Sequence, residues 1–358
     1  MDAIMSRERL IRKYFKQGLT RKEICITLAF NNAIHVSEST VKRTLRELNL
    51  FQRKQKSNVL AVALFILKEI EQSDSDGIQL RKRKKLRRRT YFSRGSNFVW
   101  HIDGYDKLKP FGICIHGCID GFSRYLIWLR AWNTNNDPRI IARYFIDAIK
   151  DTKGCPTKIR SDRGTENGFV EQIQRFLRRN HDDVFAAEKS FLYGSSTSNQ
   201  RIERFWGILR KECIQYWMDI FKLLRDELDA FSGDFLDKSL VRFIFMKMIQ
   251  EELNDVSGVW NSHSIQKGHN HDNPVGKPLL LYTIPEYYGK QNCLCVTERA
   301  DVRICDEETI ALPQSPCDDI VYDLCLLLME DNNWIYPSSA EDGIELYLNL
   351  RLIIRNNI

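Results

Sequence analysis

Apolar residues between Arg7 and Leu48 recur every three to four positions, which predicts three short amphipathic helices. "RERLIRKYFKQG" puts Leu10, Ile11, Tyr14 and Phe15 on one face and stops at Gly18. "TRKEICITLAF" opens with Thr20 and Glu23 in capping-box spacing. "SESTVKRTLRELNL" is capped by Ser37 and turns Val41, Leu45 and Leu48 inward. A strongly apolar helix, "VLAVALFILKEIEQSDSDG", comes next and ends in a polar break. From Asn97 the spacing becomes alternating: "NFVWHIDGY", "FGICIHGCID" and "SRYLIWLRAW" predict an antiparallel meander. After it come a helix ("DPRIIARYFIDAIKD"), a strand (Thr157 to Ser161), a helix ("TENGFVEQIQRFLRRN") and a further strand ("VFAAEKSFLYG"). The last of the series is a long helix, "SNQRIERFWGILRKECIQYWMDIF", whose buried side is Ile202, Phe205, Leu209 and Cys213.

Three antiparallel strands followed by β and α in alternation is the element order of a ribonuclease-H-like α/β core. That core is a mixed five-stranded sheet with flanking helices, here preceded by an all-α helix-turn-helix region. The domain reading is residues 1–50 for the helix-turn-helix region and 51–96 for the apolar helix with a basic linker. Residues 97–232 form the core, 233–285 post-core helices, and 286–358 an acidic region without an assigned role.

Charge sharpens this division. Residues 1–100 hold 23 lysines and arginines against 9 acids, a balance of +14, whereas residues 285–358 hold 5 against 14, a balance of −9. A basic front half points to a polyanion, and nucleic acid is the commonest one. On the third helix the stripe Ser39, Thr40, Arg43 and Arg46 mixes short polar and basic groups suited to base edges and phosphates. The turn "NNAIHV" before it is longer than usual, and a plain helical bundle with a solvated basic face is the simpler alternative. The run "RKRKKLRRR" supplies Arg81, Lys82, Arg83, Lys84, Lys85, Arg87, Arg88 and Arg89, a segment that is either solvated or paired with phosphate. It reads as a DNA-contacting linker, a nuclear localisation signal, or both. No apolar stretch reaches the roughly 18 residues of a membrane span, and "MDAIMSRERL" carries no secretory signal pattern. The 10 cysteines lack a disulfide-framework spacing, which fits a reducing compartment.

Candidate chemistry centres on "SDRGTEN". A lone aspartate at a strand end ordinarily caps a helix or holds a turn. In the predicted order, however, Asp162 comes after the fourth strand, Asp103 lies in the first, and Glu203 opens the last long helix. At these positions the chain resembles the retroviral-integrase and transposase superfamily. "VWHIDGYDKL" is similar to its first-aspartate strand, "IRSDRGTEN" to the strand end bearing its second aspartate, and "SNQRIERFWGILRKE" to its glutamate helix. It is more similar still to eukaryotic integrase-core proteins of mobile-element origin, through "WHIDGYDKLKPFGICIHGCIDGFSR", "NNDP", "TEN", "SFLYG" and "SNQRIE".

The resemblance implies cleavage and transfer of DNA strands by a homo-oligomer. Asp103, Asp162 and Glu203 would hold two divalent ions, Mg²⁺ or Mn²⁺, with Asp103 bridging them. Glu166 is the rival for the third acid, Asp106 is expected to leave the strand toward solvent, and Asp120 to support the site rather than bind metal. Asn199, Gln200 and Arg210 would touch phosphate near the metals. Gly207 has two readings, room for DNA or tight helix packing. The resemblance departs in the front half: paired His and Cys of a zinc-binding domain are missing before residue 100, where only Cys25 and His35 occur. The front half also looks shorter than in similar integrase-core proteins, and that, with the acidic tail, keeps open a catalytically silent nuclear DNA-binding protein. A general ribonuclease H would suit the fold but not the helix-turn-helix or the glutamate motif.

Overall fold

The computed structural model describes residues 7–48, 50, 93–162, 164–194, 199–266 and 274–357. The apolar helix expected after residue 58 and the basic run 81–89 lie outside these residues. The chain divides into two compact units, residues 1–92 with 267–273, and residues 93–266 with 274–358.

In the first unit, α1 (Arg7–Lys16), α2 (Arg21–Asn32) and α3 (Glu38–Glu47) close around Leu10, Ile11, Leu19, Ile24, Leu28, Val41 and Leu45. The capping box at Thr20 and Glu23 forms, with Thr20 N donating to Glu23 Oε2 at 2.7 Å. Ser37 caps α3 by accepting from Thr40 N at 3.2 Å. Thr44 is buried in α3, and Leu48 sits half-exposed at its C-cap.

The second unit is built on the expected sheet. Its strands are preceded by the short β1 (Gly95–Ser96). β2 (Val99–Tyr105), β3 (Cys114–Asp120) and β4 (Leu126–Trp132) form the antiparallel meander. After the short β5 (Gly154–Cys155), β6 (Lys158–Ser161) and β7 (Phe191–Tyr193) add in parallel, giving the order β4-β3-β2-β6-β7. β7 is shorter than the predicted strand, because Ala187 takes a left-handed φ of 50° and Ala187–Ser190 forms a 3-10 turn. The predicted last helix runs as Gln200–Leu209, a π turn Arg210–Ile214, and Gln215–Lys222.

Alternation decides which side chains meet which layer. Trp100 and Ile102 of β2 pack with Phe145, Ile149, Val170 and Ile173 on one face of the sheet. Tyr105 packs on the other, with Ile202, Phe205 and Leu209 of the glutamate helix. Residues of the same parity share a face, so Asp103 lies on the glutamate-helix side.

Segments beyond residue 232 complete the sheet's surroundings. The long helix Phe235–Ser262 runs along edge strand β4, whose backbone is paired by side-chain amides. Ala131 N donates to Gln250 Oε1 at 2.8 Å, and Leu126 N donates to Asn261 Oδ1 at 2.8 Å. Those amides occupy ladder groups through which an uncovered edge recruits other chains. Further on, β8 (Gln291–Asn292) pairs with β1 and β9 (Cys295–Val296) with β5. Acids of the C-terminal region meet core bases: Asp306 pairs with Arg143 at 2.5 Å and Lys150 at 2.6 Å, and Asp301 with Arg179 at 2.8 Å. Residues 274–358 therefore belong to the same compact unit as the sheet.

Candidate active site

Asp103 sits on β2, the middle strand of the sheet, directly opposite Gly117 of β3. On its other side β6 pairs in parallel, His101 with Arg160. Continuing that register by two residues brings Asp162 alongside Asp103. Asp162 stands just past the end of β6, where its Oδ1 accepts Gly164 N–H at 3.2 Å. Glu203 occupies the first turn of Gln200–Leu209 and is exposed, its N–H donating to Asn199 O at 3.2 Å. A strand, a strand end and a helix start thus bring three carboxylates within electrostatic reach of one another.

The acids feel one another. Burial raises the Asp103 pKa, and repulsion from Glu203 and Asp162 adds to it; against the opposing hydrogen bond from Trp206 the result is about 7. Glu203 is also raised, by burial and then by Asp162. Glu166 is raised by burial, and repelled by Asp162 and Asp106. Its carboxylate folds over Gly164, where a Cβ would stand 2.0 Å from Glu166 Oε1, and it accepts from Asn167 Nδ2 at 3.1 Å. Asp106 is exposed and ion-paired with Lys109 at 2.8 Å.

Asp120 is fully buried, and burial lifts its pKa to about 6. Its oxygens accept from Asn97 N at 2.8 Å, Phe122 N at 3.2 Å, and Ser123 N and Oγ, both at 2.7 Å. It holds the β3–β4 turn and the entry to β2 together.

A profile of the integrase core domain matches residues 90–282. The chain belongs to the integrase core family. No curated protein sequence matches it.

Within this integrase core, the donor set suits a hard divalent ion: three carboxylates whose mutual repulsion a cation would relieve. Among the described residues no three acids, histidines or cysteines are arranged to hold a metal ion. Residue 163 and residues 195–198, beside Asp162 and just before the glutamate helix, are outside that description.

The remaining sequence candidates divide. Gln200 and Arg210 are exposed, and Arg210 Nε donates to Gln215 Oε1 at 3.3 Å across the π turn. Asn199 corrects the expectation of a phosphate contact. It is 1% exposed, with Oδ1 2.7 Å from His101 Nδ1 and Nδ2 donating to Ile102 O at 2.9 Å, so its amide is used inside the core. Around Gly207 an added Cβ would meet nothing within 4 Å, which removes tight packing as the reason for a glycine there. In the first unit Ser39, Arg43 and Arg46 are exposed and Thr40 is half-buried. Arg43 faces Glu47 at 3.9 Å, an exposed pair of little energetic weight. Arg81 to Arg89 lie outside the described residues.

Two features of the site were missed from the sequence. Trp206 Nε1 donates to Asp103 Oδ2 at 2.8 Å, although its place in an aromatic helix marks it only as core. Gly117, in the interior of a strand, was the legible signal, since such a glycine often marks a close approach.

Proposed function

We propose that this integrase-core protein is a DNA integrase- or transposase-like polynucleotidyl transferase, of mobile-element origin and acting in the nucleus. The observation that carries the reading is the convergence of Asp103, Asp162 and Glu203, close enough for Asp103 to be repelled by both of the others. Asp103, Asp162 and Glu203 would hold Mg²⁺ or Mn²⁺. Bound there, the ions would lower the pKa of an attacking water or 3′-hydroxyl and stabilise the leaving oxygen. Gln200 and Arg210, exposed on the glutamate helix, orient the scissile phosphate from the protein side. DNA affinity comes from α3 and the basic run 81–89, and strand transfer takes place in a homo-oligomer.

The test is Asp162→Asn, which keeps the shape of the side chain and removes its charge. Metal-dependent nicking or joining of DNA is expected to fall by orders of magnitude in Mg²⁺ or Mn²⁺, with duplex binding nearly unchanged. If the wild-type chain cuts no DNA, flanking repeats included, at any Mn²⁺ concentration, the reading fails. A catalytically silent DNA-binding protein then takes its place.

A further inference from the structure

Three residues after Glu203, on the same helix, Trp206 is 5% exposed and turned toward the sheet. Its indole N–H reaches Asp103 Oδ2 at 2.8 Å. One flank of the ring lies against Tyr105, with centroids 5.0 Å apart and planes tilted by 31°. On the other strand beside Asp103 stands Gly117, where an added Cβ would meet the far edge of the indole, Cη2, at 2.7 Å. Real Cβ atoms do not approach other atoms that closely, so the ring occupies this position because residue 117 has no side chain. Strand β3, strand β2 and the glutamate helix are fitted to one another through a single indole.

Hydrophobic packing alone does not explain this arrangement. A phenylalanine at 206 would fill most of the same space and need no polar partner. The indole instead places its one donor on a candidate metal ligand. A carboxylate with one oxygen held by a fixed N–H keeps a single orientation and offers its other oxygen in a defined direction. The donor also belongs to the helix that carries Glu203, so the strand acid and the helix acid are joined by one hydrogen bond.

We propose that Trp206 is a positioning residue for the acid site: its N–H fixes the Asp103 carboxylate, and Gly117 keeps open the space that lets it do so. This rests on the reading of Asp103, Asp162 and Glu203 as ligands of a divalent ion. Trp206 touches neither DNA nor the reacting atoms and acts through Asp103 alone.

The experiment is Mn²⁺ titration of the full chain, following the free-ion electron paramagnetic resonance signal, together with thermal unfolding in the metal-free state. Trp206→Phe keeps the aromatic bulk and removes the donor. It is expected to weaken Mn²⁺ binding about 10–100-fold with only a small change in melting temperature. Gly117→Ala drives the ring off Asp103 and should lower both affinity and melting temperature. In the double variant the smaller phenyl ring accommodates the new methyl group, so melting recovers to the Trp206→Phe level while affinity stays weak. A purely structural tryptophan would move melting and affinity together and let the double variant regain both. Wild-type affinity in Trp206→Phe overturns the positioning role, and wild-type affinity in a folded Gly117→Ala protein overturns it independently. Failure of the wild type to bind Mn²⁺, or binding indifferent to Asp103→Asn, instead overturns the underlying metal-site reading.

Discussion

His101 and Asn199 satisfy each other inside the core. His101, buried on β2, has its Nδ1 2.7 Å from Asn199 Oδ1, and Asn199 Nδ2 donates to Ile102 O at 2.9 Å. An amide oxygen only accepts, so Nδ1 of His101 is the donor. Asn199 immediately precedes the glutamate helix, and its carbonyl accepts the Glu203 N–H. One side chain therefore ties the start of that helix to the strand bearing Asp103.

Asn199→Ala leaves the His101 donor and the Ile102 carbonyl without that partner. The two lost hydrogen bonds together contribute about 1–3 kcal/mol, so the free energy of unfolding should fall by an amount in that range. Its affinity for duplex DNA should match the wild type, because the amide never faces solvent. A weakened DNA complex with unchanged stability would restore Asn199 as a phosphate contact.

Asp237 links the C-terminal helix Ala340–Asn356 to the post-core helix. It is fully buried, with Oδ1 accepting from Arg351 at 2.8 Å and Arg355 at 3.0 Å, and Oδ2 from Ser232 N at 2.6 Å and Ser232 Oγ at 2.8 Å. Burial alone would raise its pKa, but the bonds from Arg351, Ser232 and Arg355 outweigh it and hold it at about 2, below the ordinary 3.8. A depressed carboxylate stabilises the fold above its unfolded pKa, and that contribution is lost as pH falls through the folded one. Between pH 4 and pH 2 this site should remove about 2 kcal/mol. In Asp237→Asn that part of the acid limb should vanish, on a background destabilised because Arg351 loses its charged partner while Arg355 keeps Asp234 at 2.5 Å. Urea unfolding at stepped pH measures both, and parallel acid limbs in the two proteins would contradict the assignment.

Gly207 lies mid-helix on the stripe of Glu203, with open space where a side chain would be. Gly207→Ala should stabilise the helix by about 0.5–1 kcal/mol, read as a higher melting temperature. If the space is kept for DNA, strand transfer should fall in the same variant while Mn²⁺ affinity holds. Higher stability with full transfer would leave the glycine without a role in substrate approach.

Periodicity made the sheet and the glutamate helix legible. Alternation in β2 sends Trp100 and Ile102 one way and Tyr105 the other, and helical spacing buries Ile202, Phe205, Leu209 and Cys213 as expected. It did not show that Asn199 points inward, since a short amide at a helix entrance has the same pattern whether it meets solvent or a buried histidine. Nor did it foresee the short β7, which results from the left-handed Ala187, a residue with no preference for that conformation. The acidic C-terminal region looked like a charged tail because its partners, such as Arg143 for Asp306, are far away in the chain. The glycine at 117 was legible as a sign of close approach, but that the approaching group is Trp206, bonded to Asp103, only three-dimensional contact reveals.

The basic front half yields the last prediction. The run 81–89 holds eight lysines and arginines in nine residues, and α3 presents Arg43 and Arg46 to solvent. If both meet DNA, they should do so differently. Contacts to phosphate release counterions, and the logarithm of affinity falls against the logarithm of salt by about 0.9 for each phosphate neutralised. Replacing the eight basic residues of the run with glutamine in the full chain should therefore weaken binding to every duplex alike and flatten the salt dependence by several units. Arg43→Ala and Arg46→Ala should change the slope by about one each at most. Where either side chain reads a base, its loss should cost about 1–3 kcal/mol on the preferred site only. Fluorescence anisotropy from low to moderate salt, on a preferred and a scrambled duplex, separates the two contributions. A salt slope that survives loss of all eight charges would place the DNA-binding surface elsewhere on the chain.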